Sequence, residues 1–228
     1  MKFVWIVFVC ATILTIQAGA EEPVLKDQKE KISYSIGLNI GTNLKAQNID
    51  INPDLLERGI KDALTGTQPL LTQEEIKEVL SAFQKEMTAK ADAERSAISE
   101  KNKTEGAAFL AENGKKEGVV TLPSGLQYKV LNTGTGAKPK ATDIVVTNYK
   151  GTLIDGTESD SSYSRGKPAE FPVNKVIAGW TEALQLMETG SKWQLFIPAN
   201  LAYGEKGYAD VIAPNSVLIF ELELISIK

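Results

Sequence analysis

The 228-residue chain carries 25 Lys and Arg against 29 Asp and Glu, no histidine, and a single cysteine. Without histidine there is no Ser-His-Asp triad and no His-ligated metal, and one thiol builds neither a disulfide framework nor a zinc-thiolate site. A net charge of −4 argues against nucleic acid as the principal partner.

The chain opens with Lys2, an almost unbroken apolar run over residues 3–16, then Gln17-Ala18-Gly19-Ala20 and two acids. A basic start, an apolar stretch and a small-residue cleavage site predict a secretory signal peptide over residues 1–20. The run is shorter than the roughly 20 apolar residues of a membrane span, so no stable span is expected; an uncleaved amphipathic anchor is the alternative. Val9 ahead of Cys10 is not the small residue of a lipidation motif, and Cys10 reads as part of the run. Cleavage would remove the one cysteine, and an exported chain without disulfides fits a bacterial envelope, most simply the periplasm, with the outer membrane or cell surface as further destinations.

Residues 28–113 have helical period. Ile32, Ile36, Ile40 and Leu44 recur every fourth residue. Asn52-Pro53-Asp54 reads as an N-cap, a proline at the first helical position and an early acid. Thr72 with Glu75 forms a capping box before a third helix, whose stripe is Ile76, Val79, Leu80, Phe83 and Met87. No Gly or Pro follows until Gly106, so this helix is expected to run to about Asn113, roughly 60 Å at 1.5 Å per residue. Its second half, poor in apolar residues, reads as a solvent-exposed stalk, with a flexible charged linker as the alternative. Gly37 and Gly41 share one helix face, where backbones can approach closely. A homodimer interface over residues 28–87 is the preferred reading, and a contact within one chain the other.

After Gly114 the period becomes two. Leu126, Tyr128 and Val130 form one alternating run, and Val145, Thr147 and Tyr149 a second. Trp193, Leu195 and Ile197 follow, then Leu218, Phe220, Leu222 and Leu224. One short amphipathic helix lies between them at about residues 180–187. The fold class is α+β: a helical module over 21–71, a connecting helix over 72–113, and an antiparallel sheet wrapped on one helix over 114–228. Gly134-Thr135-Gly136 lacks the other residues of a phosphate loop and reads as a turn. The acids around Asp50 lack the glycine and terminal Glu of a calcium loop.

Tyr149, Phe171, Val176, Ile177, Trp180, Tyr203 and Phe220 read on composition alone as core. The stretches "VTNYKGTLIDGT", "DSSYSRGKPAEFPVNKVIAGWTEALQLM", "LAYGEKG" and "VLIFELELISI" resemble an FKBP-type peptidyl-prolyl cis–trans isomerase, in order and spacing, over residues 118–228. The helical half resembles the amino-terminal dimerisation module of the bacterial macrophage infectivity potentiator subgroup.

The resemblance implies an isomerase of X–Pro bonds in exported, proline-containing clients. It implies no cofactor and no metal, and inhibition by FKBP-class macrolides. It places Trp180 at the floor of the pocket, with Tyr149, Phe171 and Phe220 as walls. The Ile177 backbone N–H and the Tyr203 hydroxyl would meet the substrate. Asp160 would bond Tyr149 and pair with Arg165 at the rim. Catalytic positions by resemblance are thus Tyr149, Asp160, Ile177, Trp180, Tyr203 and Phe220, with substrate binding at Phe171, Val176, Arg165, Tyr208, Val211 and Ile212.

Four positions depart from the family pattern. Ser159 stands where a phenylalanine usually precedes the aspartate, Ala169 replaces another phenylalanine, Tyr208 a histidine, and Ala213 a proline. Ser159 is expected to open one wall to water. A dimeric chaperone with weak isomerase activity is therefore the alternative function.

Overall fold

A computed structural model describes residues 24–209 and 211–228, so the expected signal peptide lies outside the described residues. The chain divides into two units at Thr72/Gln73.

The first unit holds α1 (Gln28–Ala46) and α2 (Pro53–Thr65). α2 starts as the sequence reads. The Asn52 side chain accepts from the Asp54 and Leu55 N–H groups at 3.0 and 3.1 Å, Pro53 follows, and Gly66 ends the helix in left-handed backbone at φ 70. Neither helix buries a residue. Ile32, Ile36, Leu55 and Ile60 of their apolar faces are exposed.

The second unit begins with the 41-residue helix α3 (Gln73–Asn113). Seven strands follow: β1 (Val119–Thr121), β2 (Gln127–Asn132), β3 (Ile144–Thr152), β4 (Glu158–Ser161), β5 (Ala169–Pro172), β6 (Lys192–Ile197) and β7 (Leu218–Ile227). They form one antiparallel sheet in the order β1-β2-β6-β7-β3-β4, with β5 on the same edge of β3 as β4. β3 is thus the hub. β7 lies along one side, while the other side pairs first with β5 and then with β4. The short helix α4 (Ala178–Leu186) buries Trp180, Ala183 and Leu184 against the sheet, among Val145, Leu195, Leu218, Leu222 and Leu224. In β3, β6 and β7 inward residues at every second position explain the period-two reading, whereas Val130 of β2 is exposed.

α3 differs from the stalk expectation in its last turns, which dock on the sheet. Phe109 meets Phe196 of β6 at 6.0 Å between ring centroids, and Gly106 is buried. Asn113 is buried and donates to Gln127 Oε1 at 3.0 Å, while Gln127 donates at 2.8 Å to the Leu110 carbonyl, which also accepts from the Gly114 N–H at 3.0 Å. The contact is made by a glycine, amides and one ring, so it has no apolar stripe to announce it. Among the described residues no helix is long and apolar enough to cross a membrane.

Candidate functional site

One face of the sheet and the amino-terminal turn of α4 enclose a cavity of about 440 Å³, lined by Tyr149, Asp160, Phe171, Lys175, Val176, Ile177, Trp180, Ala202, Tyr203 and Phe220. Each element delivers its share. β3 brings Tyr149, β4 Asp160, β5 Phe171 and β7 Phe220; the entry to α4 brings Val176, Ile177 and Trp180. Tyr203 follows the 3-10 turn Ala199–Leu201.

Trp180 is the floor. Tyr149, Phe171 and Phe220 stand nearly perpendicular to it, at 5.0, 5.7 and 5.2 Å between centroids and interplanar angles of 85°, 89° and 84°. Edge-on rings are the arrangement the aromatic quadrupole favours. The Trp180 Nε1–H is buried with no acceptor among the described residues. Phe220 reaches its place because Gly151 lies opposite it in the β3–β7 register; a Cβ there would be 2.4 Å from the ring.

The entry to α4 is held from behind. The Ile177 carbonyl accepts from the Trp180 and Thr181 N–H groups, both at 3.0 Å, and Thr181 Oγ1 donates to the Val173 carbonyl at 2.7 Å. The Ile177 N–H meets no acceptor among the described residues.

At the rim, the Tyr149 hydroxyl donates to Asp160 Oδ2 at 2.6 Å, and Arg165 donates to Asp160 Oδ1 at 2.5 Å and to the Tyr149 oxygen. The serines of this segment knit the loop beneath. Ser162 Oγ accepts from the Tyr149 N–H at 2.9 Å, and Ser161 Oγ accepts from the N–H groups of Tyr163 and Ser164. The polar run 158–165 is therefore a clasp closed on the pocket's edge.

Its electrostatics keep each group in its ordinary ionisation state. Partial burial pushes the Asp160 carboxyl up, but hydrogen bonds from Tyr149, Arg165 and the Ser161 N–H, with the Arg165 charge, outweigh it and hold it below the usual range. Burial, and then the bond to Asp160, push Tyr149 up to about 12. Burial also raises Tyr203.

The expected residues are mostly brought together. Arg165 acts through Tyr149 and Asp160 and does not itself line the cavity. Tyr208 is exposed and lies tilted against Tyr203 at 5.0 Å between ring centroids, and Val211 is exposed outside the lining. Ile212, expected to bind substrate, is buried, pairs with Tyr208 through its backbone and does not line the cavity. Sequence reasoning missed Lys175 and Ala202, although both adjoin motif residues. Ser159 does not line the cavity, and its hydroxyl is enclosed, with no partner among the described residues, rather than opened to water.

Comparison with known proteins gives a consistent result. A family model described as FKBP-type peptidyl-prolyl cis-trans isomerase matches residues 135–225, and one described as the domain amino terminal to it matches residues 29–130. "Outer membrane protein MIP" of Legionella longbeachae is 51% identical over 228 residues, covering 100% of this chain and 98% of that protein. "Peptidyl-prolyl cis-trans isomerase Mip" of Coxiella burnetii is 42% identical over 216 residues, covering 95% and 94%. The crystal structure of FkpA from Escherichia coli superposes with a TM-score of 0.71 at 39% identity, over 90% of this chain and 99% of that one.

Proposed function

The chain belongs to the FKBP-type peptidyl-prolyl cis–trans isomerase family, and from that premise we propose that the cavity over Trp180 is where it turns X–Pro bonds. The observation that carries this reading is the trio of rings standing on Trp180 beneath the Tyr149–Asp160–Arg165 clasp.

Rotation about an X–Pro bond must overcome a barrier of about 18–20 kcal/mol set by amide resonance. In the planar amide that resonance separates charge between oxygen and nitrogen; in the twisted form it is lost. A cavity walled by four aromatic rings solvates the planar dipole poorly and so favours the twisted form relative to water. About 4 kcal/mol of such preference gives roughly a thousandfold rate. The Ile177 N–H would hold the substrate carbonyl, and the Tyr203 hydroxyl the chain beyond it. Asp160 acts by holding Tyr149 and Arg165, and transfers no proton. Phe171 and Val176 contact the prolyl side, while Tyr208 and Val211 extend the rim. The same apolar walls fit FKBP-class macrolides. Replacing Trp180 by Leu should reduce turnover of a short X–Pro peptide by at least about tenfold while the protein stays folded; unchanged turnover would place the site elsewhere.

The full chain reads as an export signal over 1–20, a dimerisation module over 21–71, a connecting helix over 72–113 and an isomerase domain over 114–228, working on polypeptide clients in the periplasm. The homodimer through residues 28–87 is supported by Ile32, Ile36, Val79 and Leu80, each half or more exposed. A Cβ at Gly37 or Gly41 would meet no atom of the described residues within 4 Å, so neither glycine serves a close contact among them. Sedimentation of the full chain should give a dimer, and Ile32→Glu with Ile36→Glu a monomer of unchanged per-site turnover. A wild-type monomer would end this part of the reading.

A further inference from the structure

The docked end of α3 touches the pocket's own rim. Asn102 Nδ2 donates to the Pro214 carbonyl at 2.8 Å and to Ser216 Oγ at 3.4 Å. Asn215 Nδ2 donates to Ser99 Oγ at 2.8 Å, and the Arg95 guanidinium donates to the Lys206 carbonyl. Ser99, Asn102 and Gly106 are spaced three and four apart, which puts them on one face of the helix. At Gly106 that face comes so close to the loop end that a Cβ would lie 2.8 Å from Val217 Cγ2.

What α3 grips is the segment 204–217, which follows Tyr203 and carries Tyr208 and Val211. Within it, Ala209 at φ 47 occupies left-handed backbone that a residue other than glycine adopts only at a cost, while Asn215 at φ 57 is of a type that accepts it. A short path leads from α3 to the cavity. Ser99 holds the Asn215 side chain, the Asn215 N–H donates to the Gly204 carbonyl at 2.9 Å, and Gly204 adjoins Tyr203, which lines the cavity and packs its ring against that of Tyr208.

We propose that Ser99 and Asn102 of α3 are positioning residues for the isomerase reaction, holding the 204–217 loop so that Tyr203 and Tyr208 stand at the mouth of the cavity. The inference rests on the isomerase reading of that cavity. It makes the end of the long helix part of the catalytic body rather than a spacer. Loosening the loop reduces the population of molecules ready to bind, and the apparent affinity falls by that fraction. Once substrate is seated the loop is in place, so the chemical step is unaltered.

The test uses the full chain with Asn102→Asp, which keeps the shape but cannot donate to the Pro214 carbonyl, and Ser99→Ala, which removes the acceptor for Asn215. Steady-state isomerisation of a short apolar-X–Pro peptide is measured beside amide hydrogen exchange. Each variant should raise KM about three- to tenfold at unchanged kcat, the effect of one hydrogen bond. Exchange over 204–217 should quicken while α4 and the strands stay protected, and Ser99→Thr, which retains the hydroxyl, should restore wild-type values. Unchanged KM and loop exchange in both variants would overturn the proposal. So would faster exchange spread evenly over the sheet, because that is a general loss of stability. A wild type without turnover would instead sink the reading of the cavity, with loop exchange still reporting whether α3 holds the rim.

Discussion

Adding one methyl group at Gly151 should disturb the pocket more than its size suggests. The new carbon would sit 2.4 Å from Phe220 Cε1 and 3.0 Å from Cδ1 and Cζ. Carbon atoms rest at about 3.5–4.0 Å, so the ring must retreat by about an ångström. Phe220 is buried, with Trp180 at 5.2 Å and Tyr149 at 6.2 Å between centroids, and the side on which it can yield is the one lining the cavity. Overpacking of this kind costs about 1–3 kcal/mol. Alanine recovers about 0.5–1 kcal/mol of that through lower chain entropy than glycine in a strand. With the contact as short as 2.4 Å the cost lies in the upper part of that range, about 2–3 kcal/mol, so the net loss is about 1–2.5 kcal/mol, a Tm lower by roughly 2–10 °C for a chain of this size. Thermal unfolding and peptide isomerisation of Gly151→Ala should show both the lower Tm and a raised KM. In a Phe220→Leu background the same substitution should cost at least about 1 kcal/mol less, since the clash is gone. Equal Tm and KM, or a strictly additive double-mutant cycle, would refute the placement of Phe220 over Gly151.

Turnover should be flat from about pH 5 to 9, because Asp160 stays ionised below that window and Tyr149 stays protonated above it; a bell-shaped profile would reveal an acid or base the site does not contain. Stability linked to Asp160, whose folded pKa is depressed, should be present above its unfolded value of about 3.9 and lost as pH falls through the folded one. That linked to Tyr149 should be complete below pH 10.0 and lost as pH rises toward about 12, as urea titrations across pH would record. Thr147→Val should stabilise the protein by about 1 kcal/mol in urea unfolding, since Thr147 Oγ1 is buried with no partner among the described residues; a loss would mean that the hydroxyl is bonded after all. Arg165→Ala should cost little stability, because its pair with Asp160 is half exposed, while turnover should fall as the clasp on Tyr149 loosens.

Much of this protein follows from short-range pattern. Helical period, the Asn52-Pro53 start and the period-two runs identify α1, α2, most of α3 and strands β2, β3, β6 and β7, because each depends on neighbours within a few residues. The motifs that resemble the FKBP family likewise name the four rings and the clasp. Other features depended on atoms far apart in the chain. β1, β4 and β5 are too short to show a period and are strands because β2 and β3 offer them open edges. The burial of Ile212 and its backbone bridge to Tyr208 are likewise not legible in its sequence neighbours. Ser159 reads as a missing wall, and the folded chain encloses it. The grip of α3 on the rim loop joins residues more than a hundred positions apart through single hydrogen bonds and one glycine. Periodicity reports where a segment buries its own apolar face; a polar contact between distant segments leaves no period, and only the tertiary fold brings its two halves together.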